Sequence, residues 1–240
     1  MPILPFIQDA IFEQIVLDLL SEGKKAKQIT ETRFNRNVID PFAVLFEMAS
    51  FEIDSKTWLL NEKIRQAQKT LSNAIGMFHQ KILGSVDGWQ DLGKNGIVDL
   101  VNNDLKLIAE IKNKHNTVKG SDKVNTYDTL NDLVMKKGHL YKDYTAYYVE
   151  IIPSKAHIFD HMFTPSDKSQ GCKRSGNEKI RHIDGNSFYA KVTGVPTALQ
   201  MVFEAIFVVI QKYYPHFNDR EFIQKYFIDA FGENPLTLIK

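Results

Sequence analysis

The feature that most constrains the fold is the order strand, strand, helix, strand in the middle of the chain. Two short β-prone runs, at residues 97–101 and 105–112, precede apolar residues at helical spacing from Val124 to Val134, and a third β-prone run occupies 146–152. A strand that follows such a helical crossover lies parallel to its neighbour in the sheet. The pattern predicts an α/β fold with a mixed central sheet flanked by helices.

Helical patterns lie on both sides of this segment. Hydrophobic periodicity predicts five further helices, at about residues 6–20, from 41 onward, at 56–80, at 196–213 and at 218–231. Asp40-Pro41 combines a capping carboxylate with a proline suited to the first helical turn. Residues 82–96 are rich in glycine, aspartate and asparagine and favour turns, and a short strand is predicted at 187–193 after a polar stretch.

Composition excludes several classes of protein. The chain has 240 residues, 43% of them hydrophobic, with one cysteine, Cys172, so an intramolecular disulfide is impossible. The most apolar stretch, Ala205 to Ile210, is far shorter than a bilayer span, and the N-terminus does not read as a secretory signal. We expect a protein of the reducing cytoplasm that has no membrane segment.

Charge is distributed unevenly although the net charge is only +1. Residues 112–123 carry four lysines against Asp122 alone, and residues 164–191 carry six lysines and arginines against three acidic residues. Local basic patches of this kind can bind a polyanion even though the net charge of the protein is close to zero.

The two predicted strands at 97–112 place three polar residues together. If Asn103-Asp104 forms a two-residue turn, Asp99 pairs with Ile108 and Glu110 lies diagonally across from it. Strand alternation then puts Asp99, Glu110 and Lys112 on one face. The opposite face is apolar and contains Val98, Leu100, Leu105, Leu107, Ala109 and Ile111.

Two carboxylates on adjacent strands, about 7–8 Å apart on the diagonal, can share a hard cation such as Mg²⁺. Lys112 is placed to orient a water molecule or help to deprotonate it, and the backbone carbonyl of Ile111 completes the predicted coordination. An isolated Asp-x10-Glu-x-Lys spacing usually marks solvated residues. Here the strands, the shared face, the following helix and the lysine-rich continuation agree with one another, which favours a metal site.

Asp99 and Glu110-Ile111-Lys112 resemble the motif of the PD-(D/E)xK nuclease superfamily. The longer segments 110–117 and 84–89 are similar to those of small type II restriction endonucleases that cut GGNCC-type sites. The resemblance implies Mg²⁺-dependent hydrolysis of double-stranded DNA at a short palindromic site, a homodimer and a cognate DNA methyltransferase. Val98 replaces the motif's proline, and Gln80 stands where many relatives place a catalytic glutamate.

The resemblance also directs attention to DNA contacts. Side chains after the catalytic strand are predicted to reach phosphates; they are Asn113, Lys114, His115, Asn116, Thr117 and Lys119. In the second basic patch, base or phosphate contacts are predicted for Lys173, Arg174, Arg181, His182 and Asn186. The alternative for both groups is an ordinary solvated loop.

We therefore interpret residues 1–240 as one nuclease domain. It comprises a helical part at 1–81, a catalytic core at 82–160, a DNA-recognition segment at 161–195 and C-terminal helices at 196–240. Two other functions remain open at this point: a structure-specific or repair nuclease of the same superfamily, and a DNA-binding module that has lost activity.

Overall fold

The computed structural model describes residues 2–34 and 38–232, and its contacts divide the chain into two compact units. Within the described residues, the first unit consists of the chain up to Glu13 and from His79 onward, and the second is Gln14–Phe78. The helices are α1 (Asp9–Arg33), α2 (Pro41–Ser50), α3 (Ser55–Gly84), α4 (Gly120–Met135), α5 (Gly185–Thr193), α6 (Ala198–Tyr213) and α7 (Arg220–Phe231). The strands are β1 (Gln90–Asp91), β2 (Leu100–Asn102), β3 (Leu107–Lys114), β4 (Thr145–Ile152), β5 (Asp160–Met162), β6 (Ser166–Asp167), β7 (Cys172–Lys173) and β8 (Ile180–Asp184).

The first unit contains the predicted mixed sheet, with strand order β1-β2-β3-β4-β8-β5. The β3–β4 and β4–β8 pairs are parallel, and the other pairs are antiparallel. The helical crossover through α4 accounts for the parallel β3–β4 pair, as the strand order in the sequence predicts. The strands β6 and β7 form a separate small ribbon.

Both faces of this sheet are covered. On one face, Ile108 and Tyr148 are buried with Tyr127 and Leu130 of α4. On the other face, Tyr147 packs against Phe188 of α5, with ring centroids 5.7 Å apart. The face that carries Glu110 is therefore apolar where α4 covers it, and its polar groups lie further along the strands.

The predicted two-residue turn at Asn103-Asp104 is wrong. The connection is longer, because Asn102 pairs with Leu107, and the Asn102 side chain accepts a hydrogen bond from Leu105 N at 2.9 Å. Lys106 adopts a left-handed φ of 53° to close the loop. Relative to the predicted pairing the register moves by two residues, and an even shift leaves the paired residues of β2 and β3 on their predicted faces.

The strand predicted at 187–193 is also wrong, because this segment is α5. Asp184 caps the helix: its carboxylate accepts hydrogen bonds from Ser187 N at 3.0 Å and from the Ser187 hydroxyl at 2.6 Å. Gly194 ends the helix with a left-handed φ of 71°. These terminal signals outweigh the β-branched and aromatic residues between them.

The second unit contains most of α1 and α3 and all of α2. Asp40 caps α2 as predicted, accepting hydrogen bonds from Phe42 N and Ala43 N. Trp58 Nε1 donates to Glu47 Oε2 at 2.7 Å and so ties α3 to α2. Among the described helices of both units, none is by itself long and apolar enough to cross a membrane; α5 and α6 reach that threshold only when joined across an 89° bend.

Candidate active site

Asp99 directly precedes β2 and meets Glu110 of β3 at the end of the hairpin away from its loop. Asp99 N donates to Ala109 O at 3.0 Å, and Asp99 Oδ2 accepts a hydrogen bond from Ile111 N at 2.6 Å. Asp99 is thus held between the residues on either side of Glu110, nearly level with it rather than diagonally across. The predicted carboxylate pair is therefore present, in a different register.

Repulsion within the pair is visible in the pKa of Asp99. Burial, and after it the charge of Glu110, raise this pKa from 3.8 to about 6, although the Ile111 N–H and Lys112 act in the opposite direction. Asp91 contributes a further negative charge that raises it. Two crowded carboxylates of this kind are stabilised when a cation binds between them.

Lys112 lies beside this pair. Its Nζ is 2.7 Å from Glu110 Oε1, and the two side chains are 23% and 22% exposed. The ammonium group is therefore close to the predicted metal site and still accessible to a water molecule. Asp99, Glu110 and Lys112 are brought together as the sequence predicts.

Gln80 reaches the same site from α3. It is buried, and its Nε2 donates to Asp91 Oδ1 at 2.7 Å and lies 3.3 Å from Asp99 O. Both of these groups only accept hydrogen bonds, so the amide nitrogen of Gln80 must face them, and Oε1 must point elsewhere. Asp91 therefore determines the orientation of the Gln80 amide.

The approach of Asp91 to α3 depends on Gly84. A β-carbon at position 84 would lie 2.6 Å from Asp91 Cβ and 2.7 Å from Asp91 N. Sequence analysis missed Asp91 because it lies in a turn-rich segment and in a strand of only two residues. Its separation of 11 residues from Gln80 follows no secondary-structure period, so only packing could reveal the pair.

A second polar network lies beside Lys112, and sequence analysis missed its centre, Glu150. The parallel register pairs Glu150 of β4 with Lys112, and Glu150 is 4% exposed. Lys123 Nζ lies 2.5 Å from Glu150 Oε1, and His182 Nε2 lies 3.3 Å from Oε2. Burial acts to raise the pKa of Glu150, but His182 and Lys123 outweigh burial and lower it.

The residues predicted to contact phosphates lie at the end of β3 and in the turn after it. Lys114, Asn116, Thr117 and Lys119 are exposed. Asn113 Oδ1 and His115 Nδ1 are buried and have no hydrogen-bond partner within the described part of the chain. Polar atoms left in this state need a ligand, a water molecule or a rearrangement to satisfy them.

Most side chains in the second group of predicted DNA contacts already form ion pairs within the chain. Arg174 pairs with Asp128 and Asp167 at 2.8 and 3.0 Å, and Arg181 pairs with Asp160 at 2.7 Å. A third member, His182, faces Glu150. Asn186 is buried in the first turn of α5, and its predicted DNA contact stays a prediction. Lys173 is exposed on β7.

Comparison with known proteins places this arrangement in a family. The sequence model described as the Eco47II restriction endonuclease matches residues 4–215. The chain belongs to the Eco47II restriction endonuclease family. It is 47% identical over 206 residues to the type II restriction enzyme Eco47II of Escherichia coli, an alignment that covers 86% of each chain. It is 32% identical over 203 residues to the type II restriction enzyme Sau96I of Staphylococcus aureus, with 83% of this chain and 76% of the relative covered.

Membership of the Eco47II family makes this protein a type II restriction endonuclease, a site-specific deoxyribonuclease that acts on DNA. A structure-specific repair nuclease and an inactive DNA-binding module are therefore not supported. Enzymes of this type require a divalent metal ion. The residues present fit one: within the described ranges no three His, Cys, Asp or Glu side chains gather at a point, but the carboxylate pair offers oxygen ligands to a hard ion that retains several waters.

Proposed function

We propose that this enzyme hydrolyses phosphodiester bonds in double-stranded DNA at a short palindromic GGNCC-like site, with Mg²⁺ as its metal ion. The GGNCC-like target rests on the sequence resemblance at 84–89 and 110–117. The choice of Mg²⁺ is supported by the crowding of the Asp99 and Glu110 carboxylates, which a small hard cation relieves. Burial, and after it the charge of Glu110, raise the pKa of Asp99. This crowding is the observation on which the proposal depends.

Asp99 and Glu110 would hold the metal ion, together with the backbone carbonyl of Ile111. A bound Mg²⁺ supplies charge stabilisation at a phosphoryl oxygen and lowers the pKa of a water molecule. Lys112 orients the attacking water and assists its deprotonation. Gln80 acts through a water molecule, and Asp91 keeps the Gln80 amide oxygen directed away from the Asp91 carboxylate.

DNA is held by the exposed cations and amides that follow β3. Lys114, Asn116, Thr117 and Lys119 are the side chains best placed to contact phosphates, and Asn113 and His115 have unsatisfied buried atoms that a bound strand or its water can satisfy. In the second patch Lys173 is accessible as it stands, whereas Arg174, Arg181 and His182 must exchange an intramolecular partner for DNA.

A palindromic target is matched by a two-fold symmetric homodimer in which each protomer cuts one strand. The same resemblance implies a cognate methyltransferase that protects host DNA. We place the enzyme in the cytoplasm, where that DNA is found.

Mapping the fragments of digested plasmid DNA of known sequence tests the proposed site. Discrete fragments whose ends all map to GGNCC-like sequences support it. Cleavage at discrete but unrelated sequences contradicts the target and leaves the enzyme class intact. Omitting Mg²⁺ should abolish cleavage, and restoring it should recover the same fragments.

Binding of Mg²⁺ is expected to stabilise the fold in a way that can be measured without cleavage. At about ten times its dissociation constant, Mg²⁺ should raise the melting temperature of the wild type by about 3–6 °C. Asp99→Asn should remove this rise, because one of the two ligands becomes neutral. Calorimetry without DNA measures the effect; an equal rise in the variant would contradict metal binding at Asp99.

Without metal, Asp99→Asn is expected to be more stable than the wild type at pH 8. The folded-state pKa of Asp99 is raised from 3.8 to about 6, so ionised Asp99 disfavours folding, and this penalty is complete above about pH 6. The exposed Asp104 in the following turn provides the control, because Asp104→Asn should leave the melting temperature nearly unchanged.

Two kinds of variant test the role of Gln80: one removes its side chain, and the others change Asp91, which orients it. Gln80→Ala is expected to lower kcat by about 10- to 100-fold, the effect typical of residues that support a metal site. Asp91→Ala should lower it less, and Asp91→Asn should act like the wild type, because an amide oxygen can replace Asp91 Oδ1, which accepts from both Gln80 Nε2 and Gly93 N. In the Gln80→Ala background, Asp91→Ala should have little further effect on kcat; two independent, multiplicative losses would refute action through Gln80.

A further inference from the structure

The helix α2 in the second unit exposes a face of large apolar side chains. Its inner residues include Glu47, which is bonded to Trp58, whereas its outer stripe carries no polar side chain. That stripe consists of Phe42, Leu45, Phe46 and Ala49, which share one face at helical spacing and are all exposed. None of the residues of α2 is buried, which is unusual for a helix of this composition.

The exposed apolar area is large for a single short helix. Phe42, Leu45 and Phe46 are 71%, 63% and 65% exposed, and Phe51, which follows the helix directly, is 66% exposed. Together these side chains present on the order of 450 Å² of apolar surface to solvent. A standard interface buries roughly 800 Å² per partner, about 60% of it apolar, so the area fits the apolar centre of such an interface.

The charges around α2 select the kind of partner. Residues 38–55 contain four acidic residues and no lysine or arginine. Three of the four, Asp40, Glu47 and Asp54, already accept hydrogen bonds within the chain. The outer stripe itself presents no cation to DNA phosphates or to an anionic membrane, and an apolar protein surface is its complement.

We propose that the outer stripe of α2 is the centre of the homodimer interface, where it packs against the same stripe of a second copy. This inference rests on the homodimer in the proposed function and names the surface that forms it. A two-fold axis brings identical patches together, so an apolar, self-complementary stripe satisfies both protomers at once. The pairing also removes four large apolar side chains of each protomer from water.

The double substitution F42S/F46S tests the surface directly. Sedimentation equilibrium should show the wild type as a dimer and the double variant with a dissociation constant raised at least about 100-fold, since two aromatic anchors are lost from each side. Both side chains are mostly exposed, so circular dichroism should show an unchanged fold. The matched control is F222S on α7, which removes another phenylalanine that is 62% exposed and should leave the dimer intact.

The possible outcomes distinguish failure of the α2 interface from failure of the proposed homodimer. A wild-type dimer that is unaffected by F42S/F46S overturns the α2 surface and leaves the homodimer standing. A wild type that stays monomeric at all concentrations, with and without DNA, overturns both. Wild-type protein that instead sediments with phosphatidylglycerol vesicles, in a manner lost in F42S/F46S, assigns the stripe to a membrane and also overturns the inference.

Hydrogen exchange provides a measurement without mutation. Backbone amides of residues 41–51 should exchange at least about tenfold more slowly at protein concentrations where the dimer dominates than where the monomer does. The amides of α7 should show no such dependence. Equal exchange of α2 at both concentrations counts against the proposed interface.

Discussion

Replacing Asp99 or Glu110 with alanine is expected to abolish DNA cleavage, lowering kcat by at least about 10³-fold. Each substitution removes one of the two carboxylates that meet between the start of β2 and the middle of β3, and no third acidic, histidine or cysteine side chain in the described residues completes a metal site there. Lys112→Ala should lower kcat by about 10²- to 10⁴-fold, the range for a positioned proton-transfer group. Single-turnover cleavage of a duplex with one target site measures all three.

The control for these variants is Asp104→Ala, which removes an exposed acid from the loop of the same hairpin and should cleave like the wild type. Binding of the duplex in Ca²⁺ should persist in the Asp99, Glu110 and Lys112 variants, since the proposed phosphate contacts lie beyond them. Near wild-type cleavage by any one of them would remove that residue from the proposed mechanism.

Replacing Lys123 with methionine is expected to destabilise the fold by about 2–4 kcal/mol. The substitution removes the closest cation from Glu150, whose side chain is 6% exposed, and leaves a buried carboxylate beside His182. Breaking one partner of a buried pair typically costs about 3–5 kcal/mol, and the partial exposure of Lys123 reduces this. Urea unfolding at pH 7 measures the difference.

A surface pair provides the matched control for Lys123. Lys136 and Asp132 are 64% and 53% exposed, so Lys136→Met should cost less than about 0.5 kcal/mol. Adding Glu150→Gln to Lys123→Met should recover much of the loss, because the amide needs no counter-charge. Equal costs for Lys123→Met and Lys136→Met would show that the Glu150 network contributes nothing beyond a surface ion pair.

The same network determines how stability responds to acid. The folded-state pKa of Glu150 is lowered below 4.5, so its stabilising contribution is complete above pH 4.5 and is lost as the pH falls through the folded-state value. In Lys123→Met this contribution should be smaller, because His182 remains to lower the pKa of Glu150 and Lys123 does not. The difference in unfolding free energy between the wild type and the variant should therefore shrink as the pH is lowered below 4.5.

Local signals were sufficient for some parts of the fold. The N-cap at Asp40 and the pairing of β3 with β4 follow from patterns within short segments. The interpretation of residues 187–193 failed because Asp184 and Gly194, which define the ends of α5, lie outside the β-prone run itself. The predicted role of Arg174 took no account of Asp128, its partner 46 residues away.

By itself the sequence determined which face of the hairpin carries Asp99, Glu110 and Lys112, because side chains alternate with a period of two and the actual register differs from the predicted one by an even number of residues. The residues around Glu110 also indicated the family. Only the tertiary structure decided that Asp91 orients Gln80 and that Glu150 is buried between Lys123 and His182. These groups come from separate elements, and their proximity is a result of packing that no local period in the chain encodes.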